Sequence, residues 1–187
     1  ILDFDKRVKE IVQHLKDSNR MEETLLIITS DHPSRWRTDQ RVPLLIRFPH
    51  QLHKGRVTRN VQSIDIAPTI LDYLGVETPD WMDGYQLLSG ITDINRPVFI
   101  SERGTEGQYG MVAECKAPFY SLGAISLVIG HKRYRLSLHD GTMTSQDIEG
   151  HTAPTNVKEL PSVTKAKKIL IDHLHDSGYD DSTLREM

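Results

Sequence analysis

A run of strand-forming residues, Thr24 to Thr29, stops at Ser30, Asp31 and His32. A carboxylate beside an imidazole suits a divalent cation, because Asp oxygen and His nitrogen are both ordinary ligands for such ions. The same pair at a strand end also suits capping of the next turn, helped by Pro33, and the residue types alone leave both readings open. Two ligands do not close a metal site, so the remaining donors must come from elsewhere. Arg35, Arg37 and Arg41 follow within ten residues, with Trp36 between the first two. Cationic groups repel a nearby cation unless an anion lies between them. Either an anion-binding rim or a solvated loop accounts for these arginines, and the guanidinium fork matches sulfate and phosphate geometry.

Other reactive residues carry less. Cys115 is the sole cysteine, set in ECKAPFY with no Asp or His close in sequence, and it reads as a structural thiol rather than a nucleophile. His173 and His175 flank Leu174 on different faces of one helix, so they cannot share a metal. His50 and His53 follow Pro49 and read as loop residues exposed to solvent.

The elements that would position these groups can be read from the same chain. An apolar run ending in polar groups reads as a buried parallel strand that presents them at its C-terminal end. Open α/β sheets place ligands there. Before that strand, Val8, Ile11, Val12 and Leu15 recur at helical spacing, ending near Asp17-Ser18-Asn19. After it, PLLIRF (43–48) forms a second strand closed by Pro49. SIDIAPTILDYLGV (63–76) is a helix with Pro68 in its first turn, Asp65 as N-cap and Gly75 as its stop. Asp83-Gly84 is a turn. Further on, PVFISE (97–102) is a strand, and GAISLVIG (123–130) with RYRLSL (133–138) is a β-hairpin. Residues 139–161 are polar and read as a long surface loop. Ala166, Ile169, Leu170, His173 and Leu174 line a last helix stopped by Gly178. The pattern predicts part of a doubly wound, mostly parallel α/β sheet over 1–96. A small antiparallel α+β lobe follows over 97–187.

Bulk properties narrow the classes. At 187 residues and 37% hydrophobic content the chain can hold one domain, or a large lobe and a small one. No apolar run approaches the roughly 20 residues of a membrane span. No signal-peptide pattern opens the sequence, and its first residues already form an amphipathic helix, which suggests a start in the middle of a larger architecture. A net charge of -3 and no basic stripe argue against nucleic acid as the main partner. A single cysteine excludes an intramolecular disulfide framework.

Taken together, four stretches resemble the sulfatase family within the alkaline phosphatase superfamily. These are the helix followed by TLLIITSDH, then RVPLLIRFP (41–49), SIDIAPTILDYLGV (63–76), and DGYQLL (83–88), which is similar to the family's D-G-x-S-L stretch. GHKRYRL (130–136) loosely resembles its G-x-x-K-Y strand. The resemblance implies that Asp31 and His32 are metal ligands, with calcium favoured by the family's habit and manganese or zinc by the imidazole. It implies a sulfate-ester substrate touched by Arg35 or Arg37, in place of a family lysine whose loop is shortened here. Pro33 stands where the family has Gly. The nucleophile motif C/S-x-P-x-R is absent: Cys115 has Pro118 at +3 and Phe119 at +4. The resemblance therefore implies the C-terminal portion of a sulfatase, inactive alone, completed by an N-terminal portion of the same protein. The rival readings are a phosphodiesterase or phosphotransferase of the same superfamily, and a non-catalytic domain that retains the fold.

Overall fold

The computed structural model describes residues 2–33, 40–88, 95–103, 119, 122–148 and 159–186. They divide into two compact units, one of residues 2–33 and 41–57, the other built from residue 58 onward.

The first unit opens with α1 (Leu2–Asp17), whose Asp3 and Asp5 sit in the first turn and His14 and Lys16 in the last. That arrangement opposes the helix dipole at both ends. Val8, Val12 and Leu15 are half-buried, whereas Leu2, Phe4 and Ile11 stand exposed, and no residue of α1 is buried. Asn19, at φ 55, reverses the chain. Strand β1 (Leu26–Thr29) then pairs with β2 (Leu44–Arg47), with Leu26 opposite Arg47 and Thr29 opposite Leu44. This ladder is antiparallel, where the apolar run had suggested a parallel strand. An unbroken apolar run reports burial, not the direction of a neighbour, and doubly wound sheets commonly carry an antiparallel strand. The β2 end is fixed by Arg47, which donates to the Met21 carbonyl at 2.5 Å and the Glu22 carboxylate at 2.7 Å.

In the second unit, α2 (Ile66–Tyr73) follows a single 3-10 turn at Ser63–Asp65. Asp65 stands at the N-cap position, yet its side chain does not cap the helix. Its carboxylate instead accepts from the Gln62 and Tyr85 N–H groups and from both terminal nitrogens of Arg96 at 2.7 and 2.8 Å. The guanidinium also lies over the Tyr85 ring at 3.9 Å. Thr69 extends the knot, donating to the Asp65 carbonyl and accepting from the Leu87 N–H. The turn at Asp83-Gly84 comes so close that a Cβ on Gly84 would lie 2.0 Å from the Ile64 carbonyl oxygen. The segments SIDIAPT and DGYQL are thus pinned to one another and to Arg96.

Four strands form the remaining sheet, in the order β3 (Val98–Arg103), β4 (Leu122–Ile129), β5 (Lys132–Ser137), β6 (Met143–Asp147), antiparallel throughout. The predicted hairpin is β4–β5, turned at Gly130 with φ 58. Strand β6 lies inside the stretch read as a loop. Its TSQD residues are exposed, so nothing apolar alternates along it. Helix α3 (Val163–Asp176), capped by Ser162, buries Ala166, Leu170 and Leu174 against Ile125, Leu127, Tyr134 and Leu136. The short α4 (Ser182–Arg185) adds Leu184 to that core. Asn60 donates to the Gly130 carbonyl at 2.8 Å, tying the start of this unit to the hairpin. None of the described helices is long and apolar enough to cross a membrane.

Candidate metal centre

Strand β1 delivers Ser30, Asp31 and His32 at its C-terminal end, where the chain folds back on itself. Ser30 Oγ donates to the His32 carbonyl at 2.7 Å, and the His32 N–H donates to Asp31 Oδ1 at 3.0 Å. These short-range bonds help set the two side chains next to each other.

The imidazole is oriented by its own neighbour. His32 Nδ1 lies 2.8 Å from the Pro33 carbonyl oxygen. A carbonyl only accepts, so Nδ1 carries a proton and donates. In the neutral ring the lone pair then belongs to Nε2, which stands 3.6 Å from Asp31 Oδ2. A cation placed between that nitrogen and the carboxylate would be attracted to both. Donation of the second ring N–H to a backbone carbonyl is the usual way a metal-ligating histidine is held. The separation also fits, because donors about 2.1–2.4 Å from one cation stand 3.6 Å apart at roughly 100–120°. The Asp31 side chain is 84% exposed and that of His32 34%, so the pair is open to solvent.

Among the described residues no third His, Cys, Asp or Glu joins them to make a group that could hold a metal ion. Arg35, Trp36, Arg37 and Cys115 lie outside the described residues. Arg41 is described, and burial pushes its guanidinium below the usual range. Four further histidines among the described residues have neighbours of their own. His173 stacks flat on Phe99 with ring centroids 3.7 Å apart, and its Nδ1/Nε2 chemistry is damped by burial, which lowers its pKa against the opposing pull of Asp176 and Asp83. His175 stands 3.7 Å from Asp181, on a different face of α3, as the i, i+2 spacing required. In the first unit His50 lies 3.9 Å from Glu22 and His53 packs edge-on against Phe48. These two have definite neighbours beyond the solvated loop that the sequence suggested.

The chain also contains a second polar cluster that sequence reading did not single out. Glu102 on β3 accepts from Ser126 on β4 and from Arg133 and Arg135 on β5. Burial pushes the Glu102 carboxyl up, but hydrogen bonding and charge from Arg135, with the charge of Arg133, outweigh it and hold the group below its usual range. The alternation of Arg133 and Arg135 along RYRL was the available signal, since period two puts both on the face opposite buried Tyr134 and Leu136.

Comparison with known proteins bears on the family and the fold. Residues 31–100 match the family model described as N-sulphoglucosamine sulphohydrolase, C-terminal. An extracellular sulfatase SULF-1 homolog from Drosophila melanogaster is 34% identical over 107 residues, covering 50% of this chain and 10% of that protein. Arylsulfatase K from Bos taurus is 30% identical over 102 residues, covering 48% of this chain and 19% of that protein. The chain thus spans a small share of the curated relatives it matches. Among solved structures, a phosphonate monoester hydrolase from Silicibacter pomeroyi superimposes with a TM-score of 0.63 at 23% identity. The match covers 96% of this chain and 40% of the other, and it is a likeness of fold that bears out the α/β class.

Proposed function

We propose that the chain, which resembles the sulfatase family of the alkaline phosphatase superfamily over residues 31–100, serves as the C-terminal portion of a sulfuric ester hydrolase. In this reading Asp31 and His32 are half of a divalent-metal site, with calcium favoured over manganese or zinc. The observation that carries it is the juxtaposition of His32 Nε2 and Asp31 Oδ2 at 3.6 Å, with the opposite ring nitrogen tied to Pro33. When bound, the ion supplies Lewis acidity toward a sulfate oxygen. Asp31 contributes the charge that holds a hard cation, and His32 contributes a neutral donor whose tautomer is already set. Arg35 and Arg37 are the proposed contacts to the sulfate of the substrate, where cationic groups offset its charge.

An N-terminal portion of the same protein is the proposed partner, bringing the remaining ligands and the nucleophile. The uncovered apolar residues Phe4 and Ile11 on α1 support that assignment. So does the 10–19% of each reported relative that the matches cover. The proposed organisation sets 1–96 as the α/β portion and 97–187 as the sheet-and-helix subdomain. Phosphoryl transfer in the same superfamily is the second reading, favoured by histidine rather than asparagine after Asp31. The nucleophile decides between them: C/S-x-P-x-R for a sulfatase, a lone Thr or Ser for phosphoryl transfer.

Metal titration tests the assignment. With two protein ligands, calcium or manganese should bind this chain with a Kd on the order of 10⁻⁴–10⁻³ M or weaker. Binding should vanish in Asp31→Ala, and the His32 ring resonances should respond first. Micromolar calcium binding, or binding indifferent to Asp31 and His32, would contradict the site as assigned.

A further inference from the structure

The fold demands glycine at position 84. A Cβ there would stand 2.0 Å from the Ile64 carbonyl oxygen and 2.9 Å from the Pro68 ring, so no side chain fits without moving the turn that joins DGYQL to SIDIAPT. The residue ahead of it is Asp83, and aspartate followed by glycine is the pairing most open to one backbone reaction. The amide nitrogen after an aspartate can close a five-membered ring on the side-chain carboxyl carbon. Glycine shields that nitrogen least, because it has no side chain. The clamp on Asp65 therefore contains its own weak link.

The 187 residues hold two Asp-Gly pairs, Asp83-Gly84 and Asp140-Gly141, and no Asn-Gly. Their surroundings differ. At the second pair the Asp140 carboxylate accepts from the Thr142 N–H at 3.0 Å, and the Gly141 N–H donates to the Ser137 carbonyl at 3.0 Å. Both reacting groups are engaged there. Asp83 is exposed, and among the described residues neither its carboxylate nor the Gly84 N–H makes a hydrogen bond. Ring closure at Asp83 breaks no such bond, whereas at Asp140 two must open first.

We propose that Asp83-Gly84 is a modification site at which isoaspartate forms spontaneously and releases the clamp on Asp65. Water is the only co-reactant. The Gly84 nitrogen attacks Cγ of the protonated Asp83 carboxyl; a C–N bond forms, a C–O bond breaks, and the hydroxyl leaves with the amide proton as water. Water then adds to the backbone carbonyl of the resulting succinimide and breaks its bond to the Gly84 nitrogen, so that the chain runs on through the former side chain. No electron is gained or lost, and the mass is unchanged. The main chain of the product is longer by one carbon–carbon bond, about 1.5 Å. The Tyr85 N–H, which donates to Asp65 Oδ1 at 2.8 Å, follows directly after the insertion, and the Leu87 N–H, which donates to the Thr69 hydroxyl at 3.0 Å, lies two residues further on. A displacement of that size carries the Tyr85 bond out of hydrogen-bond range. Ageing then loosens the tie between SIDIAPT and DGYQL.

The experiment ages the full chain at mildly acidic pH, below its unfolding temperature, and maps it by proteolysis and mass spectrometry. Isoaspartate is read as a peptide of unchanged mass and shifted retention that resists an aspartate-directed protease and accepts a methyl group from an isoaspartyl methyltransferase. It should accumulate at Asp83, and at least about tenfold more slowly at Asp140, where two hydrogen bonds must open. Hydrogen exchange at the Tyr85 amide should quicken by at least about tenfold in the modified fraction. Asp83→Glu keeps the charge but would need a six-membered ring, which closes far more slowly. Its fresh melting curve should match wild type, and it should age with neither the product at that position nor the faster exchange at Tyr85. Isoaspartate that appears first at Asp140, none at Asp83, or isoaspartate at Asp83 with Tyr85 protection unchanged would overturn the proposal.

Discussion

Asp31 and Asp65 are both aspartates just outside regular elements, and their environments set them to opposite tasks. Asp31 is solvent-facing, and among the described residues its bonds run to its immediate neighbours. Asp65 is fully buried, and two backbone N–H groups and a bidentate guanidinium surround its carboxylate. Removing one partner of such a buried pair leaves the other charge uncompensated, at a cost of about 3–5 kcal/mol. Asp65→Asn should therefore lower the urea midpoint of unfolding strongly. Asp31→Ala should change stability by no more than about 0.5 kcal/mol, as befits an exposed site. Equal effects from the two substitutions would show that the Arg96 clamp matters less than its geometry suggests. Residue type alone left Asp31 and His32 open between a metal pair and a turn cap. The sequence made Asp65 look like a helix cap, because the Pro68 three residues on is a local signal while Arg96 lies 31 residues away. Tertiary partners of that kind leave no mark in a local pattern.

At the scale of elements, hydrophobic periodicity worked where burial was one-sided. The α3 stripe of Ala166, Leu170 and Leu174 and the β4–β5 hairpin follow from it directly. The direction of the β1–β2 ladder did not, since neither period nor composition encodes a neighbour's polarity. Helix α3 also sets a pH response. His173 is stacked between its own helix and β3, where burial lowers its pKa and Asp176 and Asp83 oppose that shift only in part. The unfolded chain then binds a proton more readily than the folded one. Stability contributed by neutral His173 is present above about pH 6.5 and is lost as pH falls through the lower folded value. Unfolding free energy measured from pH 8 to pH 5 should decline, and His173→Phe, which keeps a ring against Phe99, should flatten that decline. An unchanged slope in the variant would move the acid sensitivity to another group. Glu102 shares the same sign but acts at lower pH, because its depressed carboxyl costs the fold stability only as pH falls below the ordinary carboxylate range.

For the molecule as a whole, the missing chemistry is as informative as the groups it holds. The four family-like stretches account for the first portion of the chain, and two of them, SIDIAPT and DGYQL, turn out to interlock around Asp65. Their legibility came from motif likeness, and their role became visible only in coordinates. No C/S-x-P-x-R stands anywhere in the 187 residues. On the proposed reading, a metal pair and cationic groups with nothing to attack the sulfur would hold substrate and not cleave it. Aryl sulfate incubated with the purified chain and calcium or manganese should show no turnover, and Cys115→Ser should change nothing measurable. Turnover that disappears with Cys115→Ser would make this a self-sufficient enzyme with a different nucleophile arrangement.

The strand that composition concealed has one more consequence. Strand β6 ends the four-stranded sheet, and Thr144, Ser145, Gln146 and Asp147 are exposed along it. Lys132 reaches across to Asp147 at 3.3 Å and adds a charge pair near the rim. Among the described residues no strand pairs with the outer side of β6; a rim of unpaired N–H and C=O groups invites a foreign strand to add itself, and apolar side chains strengthen that invitation. Here the approaching strand would gain no apolar contact from those four side chains and would have to desolvate a carboxylate and an ammonium group. The polarity that made 143–147 look unstructured is thus what guards this border of the sheet against runaway β-aggregation.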